Sequence, residues 1–129
     1  MRLLLDTHTL LWTFEEPHKL SQAATAALAD PGNSLTVSIA SLWEITIKIA
    51  KGQLTVPGNS IEYILGLVDS SRINLLSLHS AHLLELQTLP RFHKDPFDRI
   101  LIAQSRTEHI PLVTRDRDIR RYDVETIWK

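Results

Sequence analysis

The run Leu3-Leu4-Leu5 constrains this chain more than any other feature. It is wholly apolar and stops abruptly at Asp6. A run that short, with no polar alternation, fits a strand buried on both faces. Comparable short runs recur at 35–38, 73–76 and 112–114, and 124–128 offers a final edge strand. Segments of helical periodicity lie between them, at 7–15, 22–29, 39–51, 61–70, 80–89 and 97–109, with a short helical turn at 119–122. Ser21 is placed to cap the second helix and Ser38 or Ser41 the third. Pro90 ends the fifth, and Pro96 suits the first turn of the sixth. Strands that alternate with helices imply a parallel sheet covered on both sides. The expected fold is therefore a three-layer α/β/α domain with a mostly parallel sheet of four to five strands, spanning 1–129.

Composition narrows the chemistry. The 129 residues contain no cysteine, which excludes disulfides, thiol catalysis and Cys-ligated zinc. The six histidines are scattered and form no His-Glu-x-x-His motif. His8 stands two residues from Asp6, where it lines a cleft or serves the fold. No stretch reaches the roughly 18 apolar residues of a membrane span, and Asp6 interrupts the N-terminal run before it resembles a signal peptide. A cytoplasmic location without membrane attachment is the expectation. The net charge of −1 gives no global sign of a polyanion partner, yet eight of the fourteen basic residues lie between Arg91 and Arg121. A local basic face is compatible with the neutral total.

The acids carry the functional argument. In open α/β sheets, ligands bind beyond the carboxyl ends of the strands. Asp6 follows the first strand and Asp116 follows the fourth. Alone, each also reads as a cap or turn residue. Glu44 sits in Ile-Ala-Ser-Leu-Trp-Glu-Ile-Thr-Ile-Lys-Ile-Ala at 39–50, apolar nearly all round, so its helix should be mostly buried. A buried carboxylate needs compensation. Lys48, one turn on, supplies it as an i, i+4 pair, or else supports a metal ligand. Asp98 opens the sixth helix three residues after Asp95, which suits the N-cap; either of them faces the site. Acids converging from several segments would repel one another. A divalent cation such as Mg²⁺ or Mn²⁺ relieves that, and the chemistry that follows is phosphodiester hydrolysis.

At this point the chain resembles the PIN-domain family, and within it the VapC-type toxins of toxin–antitoxin pairs. The matching stretches are Leu-Leu-Leu-Asp-Thr-His-Thr-Leu-Leu-Trp at 3–12, Val-Ser-Ile-Ala-Ser-Leu-Trp-Glu-Ile at 37–45, Asp-Pro-Phe-Asp-Arg-Ile-Leu-Ile-Ala-Gln at 95–104 and Leu-Val-Thr-Arg-Asp at 112–116. They occur in family order and span nearly the whole chain. The resemblance implies a Mg²⁺- or Mn²⁺-dependent endoribonuclease with Asp6, Glu44, Asp98 and Asp116 as its acids. It chooses Asp98 over Asp95 by the distance to Leu-Val-Thr. Asp6 and Asp98 become the foremost metal ligands, with Glu44 beside them, and Asp116 a less direct fourth acid with Asp118 close by. It also implies a homodimer and a small antitoxin partner.

Around these acids, Thr7 and Thr114 are placed to hydrogen-bond carboxylates, and Arg99 and Arg115 to meet substrate phosphate. Trp12 and Trp43 read as core or dimer-interface residues. Two rival functions are weighed. A Mg²⁺-dependent phosphatase working through Asp6 would need a second aspartate two residues on, where this chain has His8. A non-catalytic PIN-like module binding RNA or a partner has no need of the full acidic set.

Overall fold

Leu3, Leu4 and Leu5 are all fully buried, because β1 (Arg2–Leu5) runs through the middle of a five-stranded sheet. This is a computed structural model, and it describes residues 1–129. The other strands are β2 (Ser34–Ser38), β3 (Asn74–Leu76), β4 (Leu112–Val113) and β5 (Thr126–Ile127). They lie in the order β3-β2-β1-β4-β5. Every pairing is parallel, and Leu5 stands opposite Val37 on one side and Val113 on the other. A parallel sheet needs crossovers, which α1 (Thr7–Glu15), α2 (Gln22–Ala29), α3 (Ile39–Ala50), α4 (Ile61–Ser70), α5 (Ser80–Leu86) and α6 (Pro96–Glu108) supply.

Alternation along the strands divides the core in two. Leu3, Leu5, Val37 and Val113 pack with Leu10 of α1, Ala24 of α2, Ile45 of α3 and Ile64 of α4. Leu4, Leu76 and Leu112 point the other way, onto Ile100 to Ala103 of α6. Each fully buried leucine contributes about 1.5–3 kcal/mol relative to an exposed one. The expected three-layer α/β/α arrangement is thus what forms, with a sheet that is wholly parallel.

Three details depart from the sequence reading. The fifth helix ends at Leu86, four residues before Pro90, and the last strand is only two residues long. Helix α3 is not buried all round. Trp43 is 61% exposed and Ile39 41%, so Trp43 is no core residue. Only one side of α3 meets the sheet, and its apolar composition continues onto the side that does not. Of the two candidate caps, Ser38 is the one used, accepting from the Ala40 N–H at 3.0 Å.

Candidate metal centre

The strand order reverses beside β1. The chain leaves β1 for β2 and β3 on one side, then crosses over to β4 and β5 on the other. Such a switch point opens a crevice at the carboxyl ends of the two strands that flank it. Asp6 ends β1 and Thr114 ends β4, and the Asp6 N–H donates to the Val113 carbonyl at 3.2 Å.

Asp6 is only 5% exposed and is held at both oxygens. Oδ1 accepts from the Thr9 N–H at 2.7 Å, capping α1. Oδ2 accepts from the Thr114 hydroxyl. Burial pushes the Asp6 carboxyl above its ordinary range, against the opposing effect of those hydrogen bonds. The cap reading of Asp6 is therefore met, while its side chain also stands at the carboxyl end of β1 beside Thr114. The Thr114 hydroxyl oxygen also accepts from the Asp116 N–H at 3.0 Å, so one threonine ties two acids together. Asp118 lies outside this arrangement; its N–H donates to Asp116 Oδ1 at 2.8 Å.

Asp98 stands in the first turn of α6. Asp95 is the N-cap, its Oδ1 accepting from the N–H groups of Phe97 and Asp98. That division settles which acid faces the others. Burial pushes the Asp98 carboxyl up to about 7, the charge of Asp95 adds to this, and Asp116 and Asp6 add further; His93 opposes them.

Sequence reasoning missed His93. Its Nε2 lies 2.9 Å from Asp98 Oδ2 and 3.4 Å from Asp116 Oδ2. Its Nδ1 accepts from the Asp95 N–H at 3.3 Å, which assigns the ring proton to Nε2, facing the two acids. The backbone N–H of His93 donates to the Tyr122 hydroxyl at 2.8 Å, anchoring the loop. One ligand atom from each of His93, Asp98 and Asp116 falls within 4.8 Å of the others, a spacing a metal ion could bridge once His93 gives up its Nε2 proton. Asp116 therefore stands closer to the centre than the sequence suggests. The only signal in the sequence was that His93 shares a short loop with Asp98.

Glu44 is placed differently. Its Oε1 accepts from the Thr7 hydroxyl at 2.7 Å, and its Oε2 pairs with Lys48 at 3.0 Å. It is buried beside Asp6's helix but is not among the three tightly gathered ligand atoms. The i, i+4 ion pair anticipated from the sequence is present. Thr7 and Thr114 both bond carboxylates, as their positions suggest. Arg115 lines a cleft with Asp6 and Asp116. Arg99 does not join it: its guanidinium donates to the carbonyls of Leu89 and Pro90 and to the Tyr122 hydroxyl. It braces the loop that carries His93.

The donor set suits a hard divalent cation. Carboxylate oxygens dominate, and burial, with the neighbouring carboxylate charges adding to it, pushes Asp98 up to about 7. Fold and site together define a parallel α/β domain centred on carboxylates at its topological switch point. Sequence comparison places it more narrowly. The PIN domain family model matches residues 3–125, and the chain belongs to that family. It is 29% identical over 129 residues to Ribonuclease VapC22 of Mycobacterium tuberculosis, an alignment covering 93% of this chain and 91% of that protein. Among solved structures, it is similar in fold to VapBC2 from Rickettsia felis bound to a promoter DNA fragment, with a TM-score of 0.74 at 15% identity, covering 98% of this chain and 97% of that one. A toxin–antitoxin complex from Klebsiella pneumoniae gives a TM-score of 0.59 at 21% identity, covering 90% and 88%.

Proposed function

We propose that this chain is a divalent-metal-dependent endoribonuclease, the toxin half of a toxin–antitoxin pair. The observation that carries the reading is the gathering of Asp98, Asp116 and His93 beside the β1–β4 switch point, with Asp6 tied to Asp116 through the Thr114 hydroxyl. Similarity to a protein named as a ribonuclease gives the reaction class, and similarity in fold to VapBC complexes supports a small antitoxin as partner.

In this reading Asp98, Asp116 and Asp6 hold Mg²⁺ or Mn²⁺, with Glu44 at the margin of the centre. The bound cation supplies Lewis acidity for hydrolysis of an RNA phosphodiester. The chain's own part is to arrange the site. Thr114 and the Thr9 N–H fix the Asp6 carboxylate. Thr7 and Lys48 fix Glu44. Arg115, at the edge of the cleft, attracts phosphate. No helix is long and apolar enough to cross a membrane. The protein is assigned to the cytoplasm, acting as a homodimer; the exposed Trp43 and Ile39 on α3 suit a contact between copies.

A phosphatase acting through Asp6 fits less well. That chemistry needs a second aspartate two residues on as general acid, and this chain has His8 there. A non-catalytic module leaves the clustered charge without a purpose. The direct test is purified, antitoxin-free protein with labelled RNA. Cleavage is expected with Mg²⁺ or Mn²⁺ and is blocked by EDTA and by Asp6→Asn. Failure to cut any RNA overturns the enzyme reading.

A further inference from the structure

Beside the acids lies a cleft of about 670 Å³ over the carboxyl ends of β1, β4 and β5. Asp6 and Asp116 form one wall. Trp12 and Trp128 lie along it with ring centroids 6.0 Å apart, and His8 stacks loosely on Trp12 at 5.6 Å. Arg115, Arg117 and Arg120 complete the lining. None of these three arginines has a carboxylate within salt-bridge distance. The Arg120 Nε is buried and has no hydrogen-bond partner. The Arg115 guanidinium sits 5.9 Å from the centre of the Trp12 ring.

We infer that this cleft is a nucleotide subsite for single-stranded RNA. The unpaired bases of the strand stack on Trp12 and Trp128, and the phosphates next to the cut one are held by Arg115, Arg117 and Arg120. This rests on the ribonuclease reading and extends it to how the substrate is gripped. Two features require this kind of ligand together. Unpaired arginines facing a cleft call for a polyanion, and a buried guanidinium N–H without an acceptor calls for an oxygen. The partly buried indoles keep an edge on the cleft and call for a π-face, which single-stranded nucleic acid presents and a paired duplex hides. The whole chain carries a net charge of only −1, so the attraction is local to this cleft. Helix α1 creates the arrangement. Asp6 caps it, and His8 and Trp12, four residues apart, share the face next to that cap, while Leu10 turns to the core.

Binding is measured apart from cleavage. A W43F background leaves Trp12 and Trp128 as the only tryptophans. Its fluorescence is titrated in EDTA with three probes: a single-stranded oligoribonucleotide, the same strand annealed into a duplex, and the single strand with abasic positions. The expected result is quenching by the single strand, with weaker binding of the other two. W12A should weaken single-strand binding roughly 5- to 150-fold, the range for loss of one stacked base. W12F should retain most of it, and in Mg²⁺ W12A should raise KM more than it lowers kcat. Equal binding of the abasic and intact strands overturns the subsite without any variant having to fold. Equal binding by well-folded W12A and W128A overturns it too, and so does preference for the duplex. Cleavage with no change in W12A removes the subsite and spares the nuclease; binding without cleavage does the reverse.

Discussion

Thr114 donates its hydroxyl proton to Asp6, 108 residues earlier in the chain, and accepts the Asp116 N–H on the same oxygen. The hydroxyl thus sets the position of one acid directly and of a second through its backbone. Thr114→Val keeps the shape and removes both bonds. A buried hydrogen bond to a charged group contributes about 1.5–3 kcal/mol. Cleavage is expected to fall about 10-fold or more, with weakened Mg²⁺ dependence, while Thr114→Ser recovers most of it. Single-turnover rates across a Mg²⁺ titration check this. Wild-type rates in a folded valine variant would remove Thr114 from the site.

Asp98 makes stability depend on pH with a definite sign. Its carboxyl titrates at about 7 in the fold against an ordinary 3.8. Over that interval the folded protein binds more protons than the unfolded chain, so raising the pH favours unfolding. Asp6 is shifted the same way. Metal-free protein should lose stability from about pH 4 to pH 7, by at most about 1.4 kcal/mol per unit from Asp98, and level off above that. Asp98→Asn should flatten the curve and raise metal-free stability at pH 8. Urea midpoints in EDTA across this range test it; an unaltered slope in the asparagine variant counts against the assignment.

Mg²⁺ should oppose the same effect. A ligand bound only by the folded state stabilises it by about 2.7 kcal/mol at a hundredfold excess over Kd. Thermal midpoints are expected to rise with Mg²⁺ at pH 8, and to rise far less in Asp98→Asn and Asp116→Asn. A response of the same size in all three proteins would locate the metal elsewhere.

Glu44 and Lys48 form a half-buried pair, with side chains 8% and 31% exposed. Lys48→Met leaves the carboxylate with Thr7 alone and is expected to destabilise the fold by about 1–3 kcal/mol. Glu44→Gln in that background should restore part of the loss. Denaturation of the four members of the cycle measures the coupling. Their rates then separate two roles. If Glu44 mainly positions its neighbours, Glu44→Gln keeps measurable cleavage where Asp98→Asn keeps none.

Much of this was legible before the structure. The buried run ending at Asp6 announced both a central strand and an acid at its carboxyl end. Glu44 announced itself as an acid in apolar surroundings, and Lys48 as its partner, because both inferences need only helical spacing. What failed needed distances across loops. His93 meets Asp98 through the conformation of 93–95, which no periodicity encodes. Asp116 is joined to Asp6 through Thr114, whose hydroxyl links the ends of β4 and β1. Trp12 could be assigned to a helix face, but which face borders the cleft depends on where α1 sits against β4 and β5. Arg99 was misjudged because nearness in sequence to Asp98 says nothing about the carbonyls of Leu89 and Pro90 folding back onto it.

The pairing of β1 with β4 has a consequence for synthesis. Asp6 and its partners Thr114 and Asp116 stand more than a hundred residues apart, so Asp6 leaves the ribosome well before them. Until β4 slots in beside β1, the first acid has neither its hydroxyl clamp nor the other side of its crevice. A centre assembled in this order is incomplete until the segment of β4 has been made and has paired with β1.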